Sequence, residues 1–405
     1  MKILFIFFLI SFSNHQIIFD FSTDISKNFH ENNIYIKLNL GEKDSNIKVY
    51  LTFTYDYTYI TSKSINGTYD EKKYISYKKL QNEISYFHRG PVSSGFKSSE
   101  ILYLKNNSNN NYYKYENFNF ILAKDYNEDY EGLKEGELGL TFCPDLDLIN
   151  FCFIQKLKKD NLINNLVFTI KYNSDNEGQF IIGEYPHIYD KDYLKENFKF
   201  IYMEYGLKWK IIFDDIKFNN FILNDKNCEF QINLNIIFGT QEFKNIINNN
   251  FFNDKINKTC FKGFNDFYKY EYYYCNNNNF KNDFQKIYFI IRQLNTSFEL
   301  DYNDLFIKKN DLYYFLIAFR INEHIWVIGK PFLKKYQIIF DSDKYLIGIY
   351  KMNEKKNLFI NLIIILLFII ILIIEIFYYN KYLKKKRKIR MNEIEDNIDY
   401  TLQKT

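Results

Sequence analysis

Glycine, proline and alanine are scarce in this 405-residue chain: 14 Gly, 4 Pro and only two Ala, Ala123 and Ala318. So few alanines argue against long Ala-rich bundles or helical repeats. Net charge is only +4, which lacks the basic excess expected of a nucleic-acid binder. The five cysteines and five histidines show none of the tight spacings that a metal site needs, so no metal and no cofactor are expected. What is present in excess is aromatic. The 37 Tyr, 42 Phe and 2 Trp make up 20% of the chain. With Ile and Asn they favour strands joined by turns. An AT-rich coding bias explains the enrichment itself. Apolar residues at 47% and charged residues at 25% exclude a disordered chain.

Both ends carry membrane signals. Residues 1–15 read MKILFIFFLISFSNH: a Lys2 start, an apolar run from Ile3 to Ile10, then small or polar residues. That is the pattern of a secretory signal peptide. Residues 358–379 form an apolar run broken by Asn361 and Glu375 near its ends. As a helix it spans about 33 Å, enough for the hydrocarbon core. Lys381, Lys384, Lys385, Lys386, Arg387, Lys388 and Arg390 follow. Without these seven the rest is slightly acidic. The positive-inside rule places the basic 380–405 tail in the cytoplasm. The expectation is a single-pass type I membrane protein, its ectodomain lumenal or extracellular and its short tail unstructured.

The cysteines suit an oxidising compartment. Cys143 and Cys152 lie nine apart, and Cys260 and Cys275 fifteen apart; either spacing closes a local loop, and the pairing of Cys143, Cys152 and Cys228 stays open. Four sequons, at Asn66, Asn106, Asn257 and Asn295, suit a glycoprotein on the same side of the membrane. Strand-like runs recur from Ile34–Leu40 to Leu346–Tyr350, while helical candidates are few: Asp147–Lys158, Thr240–Asn248 and Pro331–Lys335. The body reads as β-rich.

Several motifs, in order, resemble the pepsin-like aspartic peptidases. The stretch from Trp326 to Ile349, WVIGKPFLKKYQIIFDSDKYLIGI, resembles that family's C-terminal signature. Ile34–Gly41 resembles its first hairpin, Gly136–Leu140 its G-I-L-G-L element, Gly178–Gly183 its G-x-L-x-x-G, and Trp209 the tryptophan that follows. Cys260 and Cys275 fall where the family places its late disulfide. The resemblance implies a mostly β, bilobal acid-protease fold, with lobes at about 30–185 and 186–352, followed by the transmembrane helix at 358–379. It also implies a peptide-binding cleft served by two Asp, each on a D-T/S-G turn. Two close carboxylates share one proton, because the second ionises poorly beside the first. The charged one activates water and the neutral one hydrogen-bonds the carbonyl.

Both turns depart from that pattern. Eleven residues after Gly41 stands Thr52, in Thr52-Phe53-Thr54, and the nearest acid is Asp56. In the second half, Cys228-Glu-Phe-Gln-Ile-Asn233-Leu-Asn235 resembles C-x-A-I-V-D-T-G, with Asn233 at the Asp position and Asn235 at the Gly. No register between 226 and 240 supplies an Asp. Neither a Thr hydroxyl nor an Asn amide acts as a carboxylate does. Ile84–Gly90 resembles the flap hairpin, with Tyr86 as its closing tyrosine and His88 an exposed neighbour; Trp209 and Trp326 read as core. The expectation is a monomeric, inactive pseudopeptidase that holds an extended peptide or protein in the cleft and binds no nucleic acid. The alternatives are an active aspartic endopeptidase and an adhesion or structural ectodomain.

Overall fold

The computed structural model describes residues 16–24, 30–81, 85–86, 91–105, 112–126, 135–145, 147–189, 198–204, 206–279, 281–321, 324–350 and 366–387. The signal-like segment 1–15 lies outside them. The chain divides into a body, residues 1–352, and a C-terminal unit, 353–405.

The body is mostly β, built on two sheets, of 14 and 11 strands among the described residues. The larger sheet crosses between the two halves of the chain. Strand Val167–Tyr172 pairs antiparallel with Gln337–Asp341, in the register Val167–Asp341 to Ile170–Ile338. On one side of that seam lie Leu346–Tyr350 and Phe198–Tyr202; on the other lie Glu177–Ile182 and Ile17–Asp24. This bilobal arrangement is the fold the motifs implied. The sheet also reaches upstream of residue 30, because Ile17 pairs with Ile182 and Phe21 with Ile36.

Alternation sets the strands. In Ile47–Thr52, Ile47, Val49 and Leu51 enter the main core, while Tyr50 and Thr52 point to the opposite face. One continuous core runs through both halves. At its centre Trp209 meets Phe340 at 4.9 Å, Phe168 at 5.5 Å and Phe142 at 4.6 Å between ring centres. Phe340 in turn touches Phe53 at 4.9 Å and Phe168 at 5.0 Å. Much of the aromatic excess therefore packs as tilted and edge-on rings, which add to simple area burial. Trp209 and Trp326 are both buried, as core residues should be.

Disulfides join Cys143 to Cys152 and Cys260 to Cys275, leaving Cys228 as a buried thiol. The helix expected over Asp147–Lys158 begins only at Phe153, because Cys152 is extended and tied back to Cys143. In the C-terminal unit one exposed apolar helix, Leu366–Arg387, is long enough to cross a membrane. It continues through Lys381 to Arg387, so the first basic residues are helical rather than unstructured.

Candidate functional site

Thr52 ends the strand that begins at Ile47 and sits opposite Gly139 in a parallel pairing. Gly139 is required there: a Cβ would fall 2.5 Å from the Tyr55 carbonyl oxygen and 2.7 Å from that of Tyr57. Leu140 N–H donates to the Thr52 carbonyl at 2.9 Å. The Thr52 hydroxyl accepts the Thr54 N–H at 3.1 Å and donates to the Thr54 hydroxyl at 3.0 Å. The side chain is thus spent on closing its own turn. Phe53, which follows, turns into the aromatic core.

The second turn comes to meet the first. Asn233 donates from Nδ2 to the Leu51 carbonyl at 3.2 Å, and its own carbonyl accepts the Asn32 N–H at 2.8 Å. Its Oδ1 is buried without a hydrogen-bond partner among the described residues. Asn235 N–H donates to the His30 carbonyl at 2.8 Å, and Lys330 Nζ donates to Asn235 Oδ1 at 3.4 Å. The structure therefore places Asn233 one peptide unit from Thr52.

Strand register adds a residue that sequence reasoning passed over. Phe230 pairs with Ile328, and Gln231 N–H donates to the Ile328 carbonyl at 2.9 Å. One further step brings Gln231 level with Gly329, as Thr52 is level with Gly139. The signal lay in the repeated Leu-Gly and Ile-Gly pairs, Leu138-Gly139 and Ile328-Gly329. By ladder position the partner of Thr52 is Gln231; by contact across the halves it is Asn233. Neither is a carboxylate.

The acids nearby are engaged elsewhere. Asp56 lies beside Cys143 and Cys152, but both sulfurs are used in the disulfide, so no metal-ligand set results. Glu137 pairs in register with Tyr50 and Tyr59; burial pushes its carboxyl up to about 8. It is therefore a neutral acid below that pH. Of the segment expected to form the flap, Ser85–Tyr86 pairs with Ser94 and Gly95. The Tyr86 side chain, His88 and Gly90 lie outside the described residues.

His30, beside the second turn, is buried. Its Nδ1 meets the Tyr270 hydroxyl at 3.0 Å, and Nε2 lies 3.7 Å from Glu31. Burial lowers its pKa below 6.5; Glu31 opposes the shift and Arg320 adds to it. A histidine kept neutral in the fold must take up a proton more readily on unfolding. Its contribution to stability is complete above 6.5 and lost as pH falls through that value toward the lower folded pKa. Unfolding midpoints measured across that window are expected to fall with pH, and His30→Phe to flatten that part of the profile. An unchanged slope in the variant would place the effect on other groups.

The two turns, the ladder through Thr52 and Gly139 and the seam at Val167 form the frame of a known architecture. Residues 49–352 match the family model described as "Eukaryotic aspartyl protease". The chain belongs to the eukaryotic aspartyl protease family. Among solved structures it is similar to conglutin gamma, a unique basic 7S globulin from lupine seeds. The TM-score is 0.62 and the identity 11%, over 83% of this chain and 94% of that one. At that identity the likeness shows the fold alone. No curated protein sequence matches this one. Within the family fold, Asn233 reaches the Leu51 carbonyl beside Thr52, so hydrogen bonds bring these two residues together.

Proposed function

We propose that this chain is a membrane-anchored aspartic peptidase homologue that does not cleave peptides, and that it holds an extended peptide or protein segment between its two halves. The observation that carries the reading is chemical. Thr52, Gln231 and Asn233 occupy the two turns, and none of them titrates in the range where a carboxylate pair works. Without one charged and one neutral carboxyl, no group at the turns removes a proton from water while another polarises the carbonyl. Binding is a separate property, since backbone hydrogen bonds and side-chain pockets hold an extended peptide without any chemistry. Support for anchoring comes from the exposed apolar helix Leu366–Arg387 with its basic end; the two disulfides suit the secretory route.

One preparation tests the reading. The full chain, expressed in a eukaryotic secretory system, is expected to stay with membranes until detergent is added. In detergent it is expected to leave peptide libraries uncut between about pH 3 and 7. Turnover blocked by a pepstatin-type inhibitor would overturn the inactive reading, and release by alkaline carbonate alone would overturn the anchor.

A further inference from the structure

A cavity of about 600 Å³ has Phe306, Ile307, Leu316 and Pro331 in its lining, together with three aspartates and five lysines. That volume is in the range of small-molecule sites. Its lysines are Lys308, Lys309, Lys330, Lys334 and Lys335. Most of its charges are already matched. Lys334 pairs with Asp175, Lys335 with Asp304 at 2.6 Å and Lys308 with Asp311 at 3.0 Å. Asp24 accepts from Lys48 and from the Tyr50 hydroxyl, each at 2.5 Å. Two cations are left, Lys309 and Lys330. Among the described residues neither has a carboxylate within ion-pair distance.

Lys330 is the sharper case. Its side chain is half-buried, and among the described residues its ammonium reaches only the Asn235 amide oxygen, at 3.4 Å, and the face of Tyr172, 5.9 Å from the ring centre. Burial holds its pKa below the ordinary lysine value. Asp175 opposes that shift and Lys334 adds to it; an ammonium partly taken out of water without an ion pair among the described residues favours an incoming anion. The apolar part of the cavity lining is Phe306, Leu316 and Pro331, with Ile307 44% exposed.

We propose that this cavity binds an apolar carboxylate, whose carboxyl group meets Lys330 and Lys309 and whose hydrocarbon part rests on Ile307, Phe306, Leu316 and Pro331. The carboxylate could come from a free organic acid or from the C-terminus of a peptide ending in an apolar residue. The site is independent of whether the turns at Thr52 and Asn233 support cleavage.

The test uses the full chain in detergent and isothermal titration with N-acetylleucine, with its neutral methylamide, and with a pentapeptide ending in leucine as free acid or amide. N-acetylleucine is expected to bind, and its methylamide at least about tenfold more weakly, because a charged hydrogen bond is lost. Lys330→Met is expected to reduce acid binding by about tenfold or more while melting no lower than the parent, since it removes a half-buried ammonium that has no ion pair among the described residues. Lys309→Gln is expected to reduce it less. Binding of the free-acid pentapeptide as well would make a peptide terminus the ligand; binding of N-acetylleucine alone would make it a small acid. Equal binding of acid and methylamide, no binding of either, or undiminished binding to a folded Lys330→Met protein would each overturn the proposal.

Discussion

Replacing Trp209 with alanine is expected to lower the unfolding free energy of the body by about 3–5 kcal/mol, the range for deleting a large buried ring. The indole is 1% exposed and touches four other rings: Phe53, Phe142, Phe168 and Phe340. Its Nε1 also donates to the Leu140 carbonyl at 2.9 Å. Leu140 is the residue whose N–H holds the Thr52 carbonyl, so this tryptophan links the aromatic core to the first turn. Trp209→Phe separates the two contributions. It keeps most of the ring packing but strands a buried carbonyl, at a cost of about 1–2 kcal/mol. Urea unfolding of the detergent-solubilised chain, followed by circular dichroism, measures both. Equal losses for the two variants would mean that the hydrogen bond, and not the packing, carries the effect.

The parts of this architecture that were legible in the sequence are those fixed by short-range spacing. The run from Trp326 to Ile349 folds as its motif implied: a strand to Ile328, a helix from Lys330, a strand to Asp341 and a closing strand from Leu346. Cys260 and Cys275 face each other across one hairpin, so their fifteen-residue spacing was informative. Long-range pairing was harder to read. Strand Ile17–Asp24 follows directly on a signal-like segment, and its partner Glu177–Ile182 lies over 150 residues away; no local propensity announces that contact. Phe221–Phe230 is a ten-residue strand whose middle, Asn224-Asp225-Lys226-Asn227, reads as a loop. Its pairing with Lys210–Phe218 decides the matter. At the site, spacing from Gly41 located Thr52, but the second turn had no glycine to anchor its register. The ladder had to bring forward Gln231. The cavity at Lys330 was invisible for another reason: in sequence its lysines look like solvated surface, and only the ion pairs show which of them lack a carboxylate among the described residues.

Gly329→Ala is expected to be among the most damaging single-methyl additions in the chain, at about 3 kcal/mol or more, the upper range of overpacking. The backbone at Gly329 is extended, with φ −110°, so the conformation suits any residue; the obstacle is space. A Cβ there would stand 2.1 Å from the Ile236 carbonyl oxygen and 2.7 Å from that of Leu234. Both are backbone atoms of the second turn, and neither can rotate away as a side chain would. The turn must shift, and with it the Asn233 contact to Leu51, the Asn235 contact to His30 and the Lys330 N–H donated to the Leu234 carbonyl at 2.8 Å. Gly239→Ala is the control. Its Cβ meets only side-chain atoms, Phe319 at 3.0 Å and Ile317 at 3.1 Å, which yield at smaller cost. Hydrogen exchange at the Asn235 and Lys330 amides, read beside the melting temperature, distinguishes the two. Gly329→Ala should lose protection at both amides and melt well below Gly239→Ala. If the two variants melt together with both amides protected, the second turn is not held by the close approach at Gly329. The juxtaposition of Asn233 with Thr52 would then rest on the hydrogen bonds to Leu51 and Asn32 alone.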